Sequence, residues 1–367
     1  MSKLKQNLLD FSFDELQTFC ISNNLPKFRA TQIWRWIYCF GTQLFQDMKN
    51  ISKSDKAFLD QIAHVSRLNV SEIYESKDGT IKWLVKLDDN SEIETVYIPQ
   101  DDRGTVCLSS QVGCTLNCSF CHTGTQALVR NLTAGEIIGQ LMIVMDHLKD
   151  WPSGKNGRKV TNIVMMGMGE PLLNYEEVSK SIKIMMSDDG ISISRRRITL
   201  STSGIIPYID KAGTDLGVNL AISLHAVNDP LRNKLVPINK KYNLQELINT
   251  CRNYPNLSNS RRITWEYVML RGINDTEDDA KNLVKLISGI PSKINLIPFN
   301  PWPGSFFETS TKQSIDNFAK IVMDAGFASP VRKPRGQDIY AACGQLKSET
   351  EKIRKSQINK LVPLHTI

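Results

Sequence analysis

Apolar positions recur at two different periods, and the change between them divides the chain. Between residues 13 and 40 the period is helical: Phe13, Leu16, Phe19 and Cys20 fall on one face, as do Ile33, Trp34 and Ile37. Leu25-Pro26-Lys27 separates the two runs, since proline has no amide hydrogen to continue a helix. From residue 69 the pattern becomes short and β-like, with runs at Val70–Tyr74, Ile81–Leu87 and Ile93–Ile98. Lys77-Asp-Gly-Thr80 and Asp88-Asp-Asn-Ser91 lie between them. Both are turn sequences, so the runs predict β-hairpins.

From residue 104 strand-like and helix-like runs alternate. Val106–Ser109, Asn162–Gly167, Arg197–Ser201, Asn219–Leu224, Ile263–Met269 and Lys293–Phe299 read as strands. Thr133-Ala-Gly-Glu136 has the form of a capping box, opening a helix that runs to about Lys149. Further helices are predicted near Tyr175–Met186, Leu244–Arg252, Thr276–Ile287 and Thr311–Ala325. Repeated strand–helix units build a parallel sheet covered by helices. Six strands are too few for a closed eight-stranded barrel, so the expected α/β fold is an open (βα)6 partial barrel. The expected division is a small helical N-terminal domain (1–68), a β-hairpin extension (69–103), a barrel core (104–336) and a C-terminal segment with a basic tail (337–367). Sites in such barrels collect at the C-terminal strand ends. Gly167–Pro171, Ser201–Gly204, Ser223–His225 and Asn300, all polar or glycine-rich, each end a predicted strand.

Composition narrows the class. The chain has 367 residues, 41% hydrophobic and 23% charged, which is ordinary globular usage. No run approaches the roughly 20 apolar residues that span a bilayer. The first residues lack the apolar stretch of a signal peptide, so a cytoplasmic location without membrane association is expected. There the eight cysteines stay reduced and point to metal or redox chemistry. Residues 331–367 carry eight Lys/Arg against three Asp/Glu, the main concentration of the net charge of +7. Arg332–Arg335, Arg195–Arg197 and Arg261-Arg262 are candidate phosphate contacts; solvated surface is the other reading. The aromatic segment Gln32–Tyr38, with Arg29 and Arg35, reads either as an RNA-docking face or as core aromatics.

The densest chemistry is Cys114-Thr-Leu-Asn-Cys118-Ser-Phe-Cys121, three cysteines in eight residues with no fourth nearby. Thiolates this close converge on one metal centre. Structural zinc usually takes four ligands, whereas three thiolates on a four-iron, four-sulfur (4Fe–4S) cluster leave one iron open to a substrate.

This run, with Phe120 before its last cysteine, resembles the radical S-adenosylmethionine (SAM) superfamily. The longer string Ser110–Gly124 resembles the RlmN-type RNA adenine carbon-2 methyltransferases, with Cfr-type carbon-8 enzymes as near relatives. Gly167-Met-Gly-Glu170-Pro171, Leu200–Gly204, Ser223-Leu-His225-Ala, Asn300-Pro-Trp-Pro-Gly304 and Arg335–Leu346 follow in the family's order. The resemblance implies a radical-SAM barrel and a 4Fe–4S cluster on Cys114, Cys118 and Cys121. It implies SAM held by Gly169, Glu170, Ser201, Ser223, Leu224, His225 and Asn300. It assigns Cys343 as the methyl carrier, Cys107 as the resolving cysteine in a transient disulfide with it, and Glu94 as proton acceptor. Taken alone, Cys107 reads as a small hydrophobe in a strand, Cys343 as a buried helix residue and Glu94 as an exposed strand carboxylate. The implied substrates are 23S rRNA at the peptidyl-transferase centre and the tRNA adenosine 3′ of the anticodon. The implied partner is an electron donor such as flavodoxin or ferredoxin, and the implied state is a monomer. Carbon-8 specificity stays open, because both branches share the cysteine constellation.

Overall fold

The structure is a computed structural model that describes residues 5–153 and 157–348. The charged tail, including Glu349–Lys360, lies outside the described residues. The N-terminal unit holds helices α1 (Phe13–Ser22), α2 (Phe28–Tyr38) and α3 (Lys53–Ile62). A reciprocal capping box fixes the start of α1: Ser12 Oγ accepts from the Glu15 amide and the Glu15 carboxylate accepts from the Ser12 amide. The sequence reading missed α3, because its first turns are charged and Leu59 is its one fully buried apolar residue. The aromatic segment of α2 divides by face. Trp34 and Ile37 are buried, and the Trp34 indole donates to Ser187 Oγ at 3.0 Å, joining α2 to the barrel. Trp36 and Phe40 face outward, their rings 4.8 Å apart.

One nine-stranded sheet organises the rest. Its strands are β1 (Asn69–Glu75), β2 (Ile81–Lys86), β3 (Glu92–Gln100), β4 (Arg103–Cys107), β5 (Asn162–Met165), β6 (Ile198–Thr202), β7 (Asn219–Ser223), β8 (Ile263–Met269) and β9 (Ser292–Pro298). They lie side by side in chain order. The pairs from β1 to β4 are antiparallel and those from β4 to β9 parallel. The six parallel strands are the predicted six, and the hairpin strands continue the same sheet. Covered on both faces, the parallel strands are mostly apolar; all seven residues of β8 are buried. The sheet stays open. One edge is the mostly exposed, charged β1, and at the other the Ala328–Val331 segment bridges in parallel to β9.

Helix α4 (Ala134–Leu148) starts at the predicted Thr133–Glu136 capping box. Along the barrel follow α5 (Tyr175–Met186), α6 (Ile206–Asp215), α7 (Asp229–Leu235), α8 (Leu244–Arg252), α9 (Glu277–Ile287) and α10 (Lys312–Asp324). Strand β4 begins and ends earlier than predicted, and Gln140 of α4 supplies the reason. Its amide oxygen accepts from the Ser109 N–H at 2.8 Å and its amide nitrogen donates to the Ser109 carbonyl at 3.0 Å. The backbone of Ser109 therefore bonds to a side chain instead of a strand and turns toward the site. Thr95 Oγ1 of β3 also donates to this fully buried glutamine.

After Arg332 the chain crosses the open ends of the strands. Residues 336–348 contain one short turn, Gln337–Ile339, and no longer helix. Cys343 is thus neither helical nor buried, contrary to its reading in isolation. Among the described residues no helix is long and apolar enough to cross a membrane.

The Gln140→Leu variant keeps the volume but leaves both Ser109 backbone groups without partners. Unsatisfied buried groups cost about 1–3 kcal/mol each, so stability is expected to fall by about 2–6 kcal/mol. Denaturant unfolding measures this; a loss below about 1 kcal/mol would show that Gln140 does not pin the strand end.

Candidate active site

The cysteine loop leaves the C-terminal end of β4. Gly113 (φ +75°) and Asn117 (φ +52°) take left-handed backbone, and a Cβ on Gly113 would lie 2.2 Å from the Ala127 carbonyl oxygen. Short amide bonds then coil the loop, from Cys121 to the Cys118 carbonyl at 3.1 Å and from Gly124 to the Cys121 carbonyl at 3.0 Å. Cys114, Cys118 and Cys121 are free, half-buried and line one cavity. Burial pushes the Cys114 thiol up to about 12, Cys118 well above the usual thiol range and Cys121 upward too. A metal centre must therefore displace protons from these sulfurs.

Two observations test whether the loop fits a cluster. Thr115 Oγ1, Asn117 Oδ1 and Ser119 Oγ, the polar side chains between the cysteines, are buried without a hydrogen-bond partner, as expected of a cradle whose contents come from elsewhere. Among the described residues no three Cys, His, Asp or Glu side chains converge tightly enough for a single metal ion. A cluster takes one thiolate per iron, and the loop supplies three free thiols to one cavity. The donors fit a cluster.

The facing wall is built from strand ends. The cavity has an accessible volume of about 160 Å3 and opens to solvent on one side. Gly169, Glu170, Ser201, Ser223 and His225, all singled out in the sequence, line it. Gly169 has φ +94°, and a Cβ there would lie 2.5 Å from Gln111 Cβ. Glu170 accepts from the Leu172 amide at 3.1 Å and the Ser203 amide at 2.8 Å. Burial still raises its carboxyl to about 6. His225 accepts from the Val268 amide through Nδ1 at 3.0 Å, which leaves Nε2 to carry the ring proton. Burial, helped by Arg232, lowers its pKa to about 3, so the ring is neutral.

Two predicted residues stand outside this lining. Leu224 is fully buried; its amide donates to the Glu266 carbonyl, and its own carbonyl accepts from Arg232. Asn300 turns toward the C-terminal segment, donating to the Cys343 carbonyl at 3.1 Å and accepting from Gln337 at 3.0 Å.

Cys343 and Gly344 complete the cavity from above. The segment is clipped to the cysteine loop: the His122 amide donates to the Gly344 carbonyl (2.7 Å), Thr123 Oγ1 to Leu346 (2.6 Å) and Gln126 to Ser348 (2.6 Å). Cys107 ends β4 and is 8% exposed. Burial raises its pKa, as does the neighbouring Cys343, while Arg332 opposes the rise at both thiols. Every cysteine is a free thiol, so the disulfide implied by the resemblance is not formed here.

Glu94 corrects another isolated reading, since it is 3% exposed. Its Oε1 lies 2.7 Å from Lys82 Nζ, and its Oε2 accepts from the Lys347 amide at 2.8 Å. The sequence reading also missed Arg232 and Glu266. The buried Arg232 guanidinium donates to the carbonyls of Ser203, Ser223 and Leu224 and to Asn239 Oδ1. Glu266 lines the cavity from β8, accepts from Asn295 at 2.8 Å and lies 3.8 Å from Arg332. An acid inside an otherwise apolar strand was the available signal for Glu266. The basic stretches separate. Arg195–Arg197 and Arg261-Arg262 directly precede β6 and β8, on the sheet edge opposite the cavity, and only Arg332–Arg335 follow onto the cavity side.

Residues 6–65 match the family described as the ribosomal RNA large subunit methyltransferase N-terminal domain, and residues 108–287 match the radical SAM superfamily. A protein named dual-specificity RNA methyltransferase RlmN from a Chelativorans species is 54% identical over 97% of this chain and 92% of its own length. One of the same name from Bradyrhizobium diazoefficiens is 59% identical over 93% and 87%, respectively. The crystal structure of a radical SAM methyltransferase from Sphaerobacter thermophilus superposes with a TM-score of 0.86 at 40% identity, covering 93% of this chain and 99% of that one.

Anaerobic reconstitution with iron and sulfide is expected to load about four irons per chain, and Cys118→Ala to lose most of them. Iron analysis with visible absorption reads the result; full loading of the variant would remove Cys118 from the ligand set.

Proposed function

The chain belongs to the RlmN-type family of radical SAM RNA methyltransferases, which use a 4Fe–4S cluster and SAM, and on that premise we propose that it methylates carbon-2 of adenosine in 23S rRNA and in tRNA. The observation that carries this reading is the position of Cys343, held over a cavity walled by three cysteines on one side and strand-end polar groups on the other, with Cys107 close by.

Cys114, Cys118 and Cys121 hold the cluster. Gly169, Glu170, Ser201, Ser223 and His225 bind SAM, with Leu224 and Asn300 contributing from beside the cavity. When bound, the cluster and SAM would supply an electrophilic methyl group and one-electron, hydrogen-abstracting chemistry. Carbon-2 of adenine is an electron-poor C–H carbon and cannot attack a sulfonium directly, whereas a thiolate can. The Cys343 sulfur therefore takes the methyl group first. The methyl carbon then gives up a hydrogen atom and bonds to the base, and one electron leaves the ring, for which the cluster would be the acceptor. Glu94 accepts the ring proton, and the Cys107 thiolate attacks the Cys343 sulfur, forming a disulfide as the sulfur–carbon bond breaks and the released carbon takes a proton. The base must leave its stack to reach Cys343, and Arg332–Arg335 are placed to meet the surrounding phosphates. An electron donor such as flavodoxin or ferredoxin and a monomeric state complete the proposal. So does the division into an N-terminal helical domain, a hairpin extension, a barrel core and a carrier segment.

Cys107→Ala is expected to retain RNA covalently on Cys343, seen as a slow-migrating, nuclease-sensitive species. A Cys343 that stays unmodified in native protein and variant alike would refute the relay. Mass spectrometry of RNA fragments is expected to place the methyl on carbon-2; methyl on carbon-8 alone would assign the chain to the carbon-8 chemistry.

A further inference from the structure

Lys82 has no role in the chemistry described so far, yet it is one of the most buried cations in the protein. Its side chain is 8% exposed and its ammonium lies 2.7 Å from Glu94 Oε1. The strands bring the two together. In the β2–β3 register Leu84 opposes Glu94 and Lys82 opposes Val96, so Lys82 sits diagonally from Glu94 on the same face. The other face, with Trp83, Val85, Ile93 and Thr95, is buried. The Lys82–Glu94 face is closed by the C-terminal segment, whose Lys347 amide bonds Glu94 Oε2 and whose Tyr340 carbonyl faces Lys82 Nζ at 3.5 Å. The Tyr74 ring lies 5.0 Å from the ammonium. The two atoms contacting the Glu94 carboxylate therefore differ in kind: Lys82 is fixed on the sheet, and Lys347 belongs to the segment that carries Cys343.

We propose that Lys82 is a positioning residue for the methyl transfer, holding Glu94 ionised and aimed so that it can take the ring proton from the covalent protein–RNA adduct. The proposal rests on the Cys343 relay and on Glu94 as its proton acceptor. In this step the ring C–H bond breaks, its electron pair stays in the ring, and the proton forms an O–H bond on Glu94. Lys82 keeps its own proton, and no electron enters or leaves. Glu94 Oε2, bonded to a backbone amide that moves with the carrier segment, is the oxygen that becomes available. Oε1 stays anchored on Lys82.

The electrostatics agree in direction. Burial raises the pKa of Glu94, and Lys82 is the largest influence opposing the rise, followed by the Lys347 amide; Glu92 on the same strand adds to it. His122 is the next titratable side chain, close to Lys82 and Lys347. A carboxylate raised by burial is ionised only at higher pH, and without Lys82 that threshold moves higher still.

The test uses full-length, cluster-loaded protein with Lys82→Gln and Lys82→Arg beside Cys107→Ala. For Lys82→Gln the expected results are normal methylation of Cys343, read as one added methyl by mass, and covalent RNA adduct accumulating although Cys107 is intact. Turnover at neutral pH is expected to fall roughly 100-fold or more, as for loss of a general base, with the acid limb of the pH profile displaced upward so that alkaline buffer restores turnover. Lys82→Arg keeps the charge and is expected to retain the native acid limb without adduct. Native turnover and pH profile in Lys82→Gln would overturn the proposal, as would loss of turnover without adduct while Cys107→Ala accumulates it. If Lys82→Gln does not fold, a folded Lys82→Arg that accumulates adduct or shifts the limb overturns it equally. Absence of adduct in Cys107→Ala, by contrast, defeats the relay itself.

Discussion

Parallel pairing from β4 to β9 is the constraint on which everything else depends. Parallel strands present their C-terminal ends along one edge, so residues scattered from Cys107 to Pro298 open onto one space. Three of the loops that leave this edge begin with a residue whose backbone is held by a buried side chain. Ser109 is held by Gln140, and the carbonyls of Ser203 and Ser223 meet on Arg232. A single fully buried guanidinium thus fixes the spacing between the loops that follow β6 and β7. Its four oxygen partners offset the desolvation that a buried charge incurs.

The second element is the segment that closes the cavity. Its hydrogen bonds run to three separate places: the cysteine loop, the loop after β9 through Asn300 and Pro301, and the hairpin strands through Glu94. None of these contacts belongs to a helix or a sheet ladder. Cys343 is held by many short local bonds over the cysteine loop, and such attachments can be released without unfolding the barrel.

Charge is distributed around the cavity so that each buried group has a defined state. Glu170 is held by two backbone amides, His225 is kept neutral by burial and the nearby guanidinium, and Glu94 is matched by one ammonium. Arg332 lies 3.8 Å from Glu266 and pulls the pKa values of both Cys107 and Cys343 downward. Low polarity strengthens each interaction and makes an unpartnered group costly, so removing one member changes the state of its neighbour.

The sequence alone determined the elements and the local chemistry. Three cysteines within eight residues must lie close together because the chain linking them is short, and strand ends can be read from where apolar runs stop. The capping box of α4 and the six parallel strands were legible for the same reason. Tertiary packing decided what lies far apart along the chain: that Cys343 returns to Cys107, that Asn300 faces the Cys343 carbonyl, that Glu94 is buried against Lys82, and that Arg195–Arg197 lie on the edge away from the cavity. A run of neighbouring residues limits only its own conformations. Which distant side chain fills a buried partner's unmet hydrogen bond or charge depends on how the whole sheet, its register and the crossing segment pack together.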